Sequence, residues 1–285
     1  MSSGFREKLA KRQREVGSLV CVGLDPLLDK MPECFKAWDG TRAQAWAWMT
    51  EVIQNTAPYA CMFKLQRAHW ESLIQGEVAM RDVISYIREK HADIPVFLDC
   101  KRGDIGRTQE RYRVTHFELD DADGVNFSPY MGKDCMAGLV DPNNLGRALV
   151  GLAYTSNPAS REVQDVLLAD DRPYWQFMAA CIAIWAEELG VLENAGLVMA
   201  AAYEKRKDSG QIYSDHLRQA RNIVGNDMWF LIPGIGTQGG FVRETVKAAF
   251  RGYGSIAINS SSGIIFADDP GRAARSLRDE INLAL

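Results

Sequence analysis

The sequence predicts a closed (β/α)₈ barrel, an α/β fold. Eight short, near-continuously apolar runs recur along the 285 residues, and helix-like stretches alternate with them. Strands covered on both faces read as unbroken apolar runs, and strand–helix alternation implies a parallel sheet with helical crossovers. Eight such units in a chain of this length suit a closed barrel. A doubly wound open sheet is the alternative. Its dinucleotide-binding form is disfavoured because GLDPLL, not G-x-G-x-x-G, follows the first strand residues. No Pro- or Ser-rich linker divides the chain, so residues 1–285 read as one domain with an N-terminal helix.

Residues 1–18 are basic but contain Glu7 and Glu15 and no apolar stretch. They predict an amphipathic helix, not a secretory or transit signal. The first four strands are expected over 18–25 (SLVCVGLD), 59–66 (YACMFKLQ), 95–101 (PVFLDCK) and 124–130 (GVNFSPY). The other four are expected over 147–156 (RALVGLAYTS), 196–201 (GLVMAA), 228–235 (MWFLIPGI) and 255–262 (SIAINSSS). Helices are expected over 42–54, 81–90, 108–120, 174–189, 215–224, 241–251 and 271–284. Residues 157–172 are polar and charged, and a loop of that length in a barrel is expected to be a lid or binding loop.

Composition narrows the function classes. Of the residues, 47% are hydrophobic and 25% charged, as in an ordinary globular protein. The net charge of -4 argues against a nucleic-acid partner needing a large basic footprint, but leaves room for a local anion pocket. The longest apolar run, residues 177–186, is too short to span a membrane. None of the six cysteines forms a C-x-x-C pair, which excludes zinc-ribbon and thioredoxin-like sites. Cys21, Cys61 and Cys181 lie in apolar stretches and are expected to be buried hydrophobes, which fits a reducing, cytoplasmic compartment. The four histidines lack ligand spacing, so no metal site or triad is expected, and the tryptophans read as packing residues.

Barrel active sites sit at the C-terminal ends of the strands. Those ends carry Asp25, Lys64, Asp99 and Lys101, with Asp104 just beyond, then Ser128, Thr155 and Ser156. Asp99 and Lys101 are two apart and so share a strand face. Buried charges are costly unless paired. Alternating carboxylates and ammoniums hold one another charged, so a lysine between aspartates remains a proton donor and cation, not a Schiff-base nucleophile. This suits chemistry in which a carbanion forms and is then protonated. The seventh strand runs into PGIGTQGG, Pro233 to Gly240, and the eighth ends in Asn259, Ser260, Ser261, Ser262 and Gly263. Glycine-rich backbone and hydroxyls at this position are expected to hold a phosphate.

The run from Asp99 to Thr108, DCKRGDIGRT, matches the D-x-K-x-x-D-I-G-x-T signature, and the chain thereby resembles the orotidine 5'-phosphate decarboxylases. CVGLDP, FKLQ, SPYMGKD, TSNPAS and PGIGTQGG extend the resemblance to a longer bacterial and protozoan subgroup. The resemblance implies a homodimeric barrel that converts orotidine 5'-monophosphate to UMP in de novo pyrimidine synthesis, without metal or organic cofactor. It implies that Lys101 protonates C6, that Asp99 stands beside the scissile carboxylate, and that Lys64 and Asp104 complete the charge array. It implies that Asp104 and Thr108 reach in from the partner subunit, Thr108 and Asp25 toward the ribose. It further implies that Ser156 reads the pyrimidine amide and that Pro233, Gly236 and Gln238 lie along the base and phosphate.

One departure stands out. The resembled family carries an arginine in an N-S-S-R-G pattern, where this chain has Ser262. A neutral hydroxyl replaces a charge-assisted phosphate contact, with Arg243 and Arg251 the nearest arginines in sequence. A catalytically weak nucleotide-binding homologue is therefore the alternative function. Sugar-phosphate relatives sharing the D-x-K-x-x-D motif, 3-keto-gulonate 6-phosphate decarboxylase and hexulose-phosphate synthase, are the other enzymatic alternatives. Lys64 and the I-G-x-T continuation favour the orotidine enzyme.

Overall fold

Eight parallel strands close into a barrel in chain order: β1 (Val20–Gly23), β2 (Met62–Gln66), β3 (Val96–Arg102), β4 (Gly124–Phe127), β5 (Ala148–Tyr154), β6 (Ala195–Met199), β7 (Trp229–Ile232) and β8 (Ile256–Ser260), which pairs back onto β1. The computed structural model describes residues 4–205, 209–235 and 240–285. Every strand lies next to its sequence neighbours, so each crossover is short and local.

Period-two alternation sorts side chains into two cores. Odd positions of β1 and even positions of β2 put Cys21 and Met62 inside the barrel with Phe97, Val150, Trp229 and Ala257. The alternate residues, such as Val22, Phe63, Leu98 and Ile258, pack outward against the helices. The N-terminal helix α1 (Phe5–Val16) plugs the barrel at the N-terminal ends of the strands. Phe5 and Leu9, one helical turn apart, enter the inner core, where the Phe5 ring stacks on Trp229 at 5.0 Å. Arg6 and Gln13 then tie α1 to the segments leading into β7 and β8, donating to the carbonyls of Asp227 (2.7 Å) and Ile256 (2.7 Å). With this end sealed, the open mouth is at the C-terminal strand ends.

The outer layer contains α2 (Thr41–Thr56), α3 (Gly76–Lys90), α4 (Gly106–Arg113), α5 (Asp134–Ala137), α6 (Tyr174–Glu188), α7 (Asp215–Val224), α8 (Val242–Ala249) and α9 (Pro270–Asn282). The helix expected over 108–120 is not uniform. It widens into a π-helical segment over Val114–Leu119, where the Asp120 amide reaches back to Thr115 (2.9 Å). The widened turn sets His116 against Asp120 (3.1 Å), whose other buried partner is Arg67. The crossover after β4 is reduced to the single turn α5. An antiparallel ribbon, Tyr203–Glu204 with Ile212–Tyr213, follows β6 and leaves no periodic trace in the sequence. The 157–172 segment is ordered by a turn at Pro158–Ser160 and by Gln164, which bonds both the amide and hydroxyl of Thr155. Cys21 and Cys61 are buried as expected, but Cys181 is only half-buried on α6. No helix among the described residues is long and apolar enough to cross a membrane.

Candidate active site at the barrel mouth

Moving up the inside of β1, β2, β3 and β8, the inward residues change from apolar to polar. The sequences are Cys21, Gly23, Asp25; Met62, Lys64, Gln66; Phe97, Asp99; and Ala257, Asn259. Gly23 is required here, because a Cβ on it would stand 1.8 Å from the Ser261 hydroxyl and 3.2 Å from Asp25. Only a bare backbone lets β1 and β8 bring those groups together.

Lys64 is the centre of the array. Its side chain is 5% exposed, and its ammonium lies 3.2 Å from Asp99 Oδ2 and 3.5 Å from Asp25 Oδ2. Burial opposes its charge, but Asp25 and Asp99 outweigh burial and hold its pKa above the usual lysine range. The other oxygen of Asp25 accepts the Gln66 amide at 2.8 Å, which fixes that carboxylate. Lys101 Nζ lies 2.5 Å from Asp99 Oδ1, and its side chain is 47% exposed to the mouth. Burial likewise opposes ionisation of Asp99, yet Lys64, Lys101 and a hydrogen bond from Asn126 depress its pKa well below the carboxylate range. The result is an alternating array of two ammoniums and two carboxylates, in which Lys64 and Asp99 are held charged by their neighbours and the Lys101 side chain is open to the cavity. Among the described residues no group of three His, Cys, Asp or Glu side chains is placed to hold a metal.

The β5–β7 side of the mouth differs in character. A cavity of ≈ 520 Å³ is lined there by Thr155, Ser156, Arg161, Ala201, Tyr203, Gly234 and Gly240. This volume falls within the range of small-molecule sites. The Arg161 guanidinium lies 4.3 Å over the Tyr203 ring. A larger groove of ≈ 780 Å³ runs outside the barrel between α2 and α3, past Arg42, Trp46 and Tyr86. It contains no strand end, so charge and topology, not size, locate the site.

The structure brings Asp25, Lys64, Asp99 and Lys101 together and puts Ser156 in the adjoining cavity wall. Pro233 lies at the end of β7, its carbonyl accepting the Ala201 amide at 3.0 Å. Asp104 and Thr108 do not join the array of their own chain. Asp104 accepts the amide of Ile105 at 2.8 Å, and Thr108 is exposed on α4. Gly236 and Gln238 lie outside the described residues. Ser262 is exposed in the first turn after β8. Arg251 cannot substitute for an arginine there. It precedes β8, at the opposite end of that strand, and bonds the Phe250 carbonyl at 2.7 Å. Sequence reasoning missed Asn126, which contacts Asp99 at 2.7 Å, and Arg161. Counting back by two from Ser128 along β4 would have put Asn126 on the inward face.

A family model described as "Orotidine 5'-phosphate decarboxylase / HUMPS family" matches residues 18–277. A curated orotidine 5'-phosphate decarboxylase of Cupriavidus metallidurans is 37% identical over 98% of this chain and 97% of its own length. The solved OMP decarboxylase of Leishmania donovani superposes with a TM-score of 0.79 at 31% identity, covering 99% of this chain and 98% of that one. The UMP synthase of the same organism gives 0.82 at 32% identity, and there this chain spans 99% of its own length but 57% of the other. The match runs from β1 into α9 and takes in both the charge array and the full circuit of strands, and on that basis the chain belongs to the orotidine 5'-phosphate decarboxylase / HUMPS family.

Proposed function

We infer that this protein decarboxylates orotidine 5'-monophosphate to UMP. The observation that carries the reading is the Lys64–Asp99–Lys101 array, one buried ammonium and one open ammonium sharing a carboxylate at the barrel mouth. The curated relatives named for this reaction, not the sugar-phosphate members of the family, select the substrate.

Loss of CO₂ leaves an electron pair on C6 that the pyrimidine ring cannot delocalise. A fixed ammonium beside C6 stabilises that charge more in the transition state than in the ground state, which is the condition for lowering a barrier. Lys101 then gives its proton to C6, completing UMP, and recovers one from water reaching its half-exposed side chain. Asp99, itself held by Lys64, keeps the donor in place, and Asp25 suits the ribose hydroxyls. Ser156 in the cavity wall suits the pyrimidine amide, and the glycine-rich sequence that contains Pro233, Gly236 and Gln238 suits the phosphate. The test is loss of orotidine 5'-monophosphate absorbance on adding the protein in the presence of EDTA. No turnover by folded protein at any substrate concentration would overturn the assignment and leave the nucleotide-binding alternative.

Asp104 and Thr108 complete the site from a second copy of the chain, in a homodimer of the cytoplasm. Their position outside their own array supports this, as do the exposed apolar side chains of Ile105, Tyr130 and Met131 near that mouth. Mixing inactive Asp104→Ala and Lys101→Ala proteins is expected to restore about a quarter of the wild-type activity, because half the dimers are mixed and each has one intact site. Recovery near zero after verified subunit exchange would place Asp104 in its own chain's site.

Ser262 offers the phosphate a neutral contact only. Ser262→Arg is expected to lower KM for the substrate and Kd for UMP by roughly tenfold to a hundredfold, the worth of a charge-assisted hydrogen bond. An unchanged UMP Kd in a titration would mean that the phosphate is already gripped by another cation.

A further inference from the structure

We propose that Asn126 is a positioning residue for the decarboxylation array, holding Lys101 and Asp99 in register through a single side-chain amide. The inference rests on the decarboxylase reading above. β3 and β4 pair regularly at Phe97 with Gly124 and at Leu98 with Val125, then not again until Arg102 with Phe127. Three residues of β3, from Asp99 to Lys101, therefore bulge opposite Asn126 alone. A bulge leaves ladder amides without their backbone acceptor, and a buried amide needs a replacement. Asn126 Oδ1 supplies it, accepting from the amides of Cys100 (2.9 Å) and Lys101 (2.7 Å).

The same side chain reaches the carboxylate. Asn126 Nδ2 donates to Asp99 Oδ1 at 2.7 Å, the oxygen that the Lys101 ammonium approaches at 2.5 Å. Asn126 is 1% exposed, so no water competes for these bonds. Lys101 has φ 46°, in the left-handed region that a long side chain seldom adopts. Such a conformation persists only where its surroundings fix it, and here the bond from its own amide to Asn126 does so. One oxygen acceptor for two amides and one N–H donor for a carboxylate are both required, and a primary amide provides both. Asparagine fits where aspartate, alanine or threonine would lose at least one function.

Two variants separate positioning from mere packing. Asn126→Ala removes acceptor and donor. The nearly isosteric Asn126→Asp keeps the acceptor, loses the donor and sets a second carboxylate beside Asp99. Displacing a reacting group by about an ångström can cost 10²-fold, so kcat is expected to fall about 10²-fold in Asn126→Ala, with KM within threefold of wild type. In Asn126→Asp the acid limb of the kcat–pH profile is expected to move to higher pH, because the added charge makes Asp99 easier to protonate. Retention of kcat within threefold in both variants, or parallel losses in kcat, KM and thermal stability with no shift of the acid limb, would overturn the proposal. Wild-type turnover in the same assay tests the decarboxylase reading separately. Were it absent, a crystal structure of Asn126→Ala would still decide: departure of Lys101 from positive φ supports the positioning role, and an unmoved Lys101 ends it.

Discussion

Lys101→Ala is expected to reduce kcat on orotidine 5'-monophosphate by about 10⁵-fold with little change in KM. Two separable roles are lost together. A positioned general acid is worth roughly 10²–10⁴ in rate, and a preorganised charge facing the developing carbanion roughly 10²–10³ more. The two multiply because the carbanion recaptures CO₂ unless it is protonated, so cleavage and proton transfer both enter the net rate. The variant should remain folded. The Lys101 side chain is 47% exposed, and Asp99 keeps Lys64 at 3.2 Å and Asn126 at 2.7 Å when Lys101 is removed. Single-turnover rates with UMP affinity measured alongside check this: kcat falls and product binding persists. A decrease of less than tenfold would mean that another group, or water, supplies the proton, and the role of Lys101 would have to be reassigned.

How far the sequence disclosed the site follows from what strands make visible. Asp25, Lys64 and Asp99 were legible because a charge at the end of an apolar run is conspicuous, and barrel topology carries all such ends to one mouth. The count back from Ser128 reaches Asn126, but nothing in the sequence marks out its role, because a neutral amide inside an apolar run resembles an ordinary polar interruption. Its importance comes from a bulge in the neighbouring strand that no periodicity reports. The spacing argument for Asp99 and Lys101 reached the right pair although Lys101 has left-handed backbone, not the extended geometry assumed. Asp104 shows a different limit, since the role expected of it calls for a second copy of the chain, and within its own chain its carboxylate accepts the Ile105 amide.

The helices show the same division. The ends of α6 and α7 were readable from apolar periodicity within a residue or so. The π-helical segment at Val114–Leu119 was not, because its cause is tertiary: Arg67 from the turn after β2 draws Asp120, and with it His116, into one buried cluster. Residues 1–18 predicted an amphipathic helix, but only the closed barrel supplies the inner core that Phe5 and Leu9 enter.

Lys64→Met is expected to be costly in both stability and rate. The variant leaves Asp25 and Asp99 facing each other almost without water, their side chains 11% and 13% exposed. Removing one partner of a buried ion pair destabilises by roughly 3–5 kcal/mol, which for a chain of this size lowers Tm by on the order of 10 °C. The sign of the pH dependence follows from Asp99. In the wild type, burial opposes its charge but the lysines and Asn126 prevail and depress its pKa. Its contribution is therefore present above the ordinary carboxylate range, near pH ~4, and is lost as pH falls through the depressed value. Without Lys64 the two carboxylates repel, and at least one has its pKa raised. The penalty is then greatest near neutrality and shrinks as acid protonates that group, so the Tm curves of variant and wild type converge toward pH ~4. Activity should fall by roughly 10³-fold or more, because Asp99 is no longer held on both oxygens and Lys101 loses its fixed anchor. Differential scanning calorimetry from pH 4 to 8 checks the convergence. A Tm difference independent of pH would assign the loss to packing of the lysine stem and not to the charge alternation on which the proposed mechanism depends.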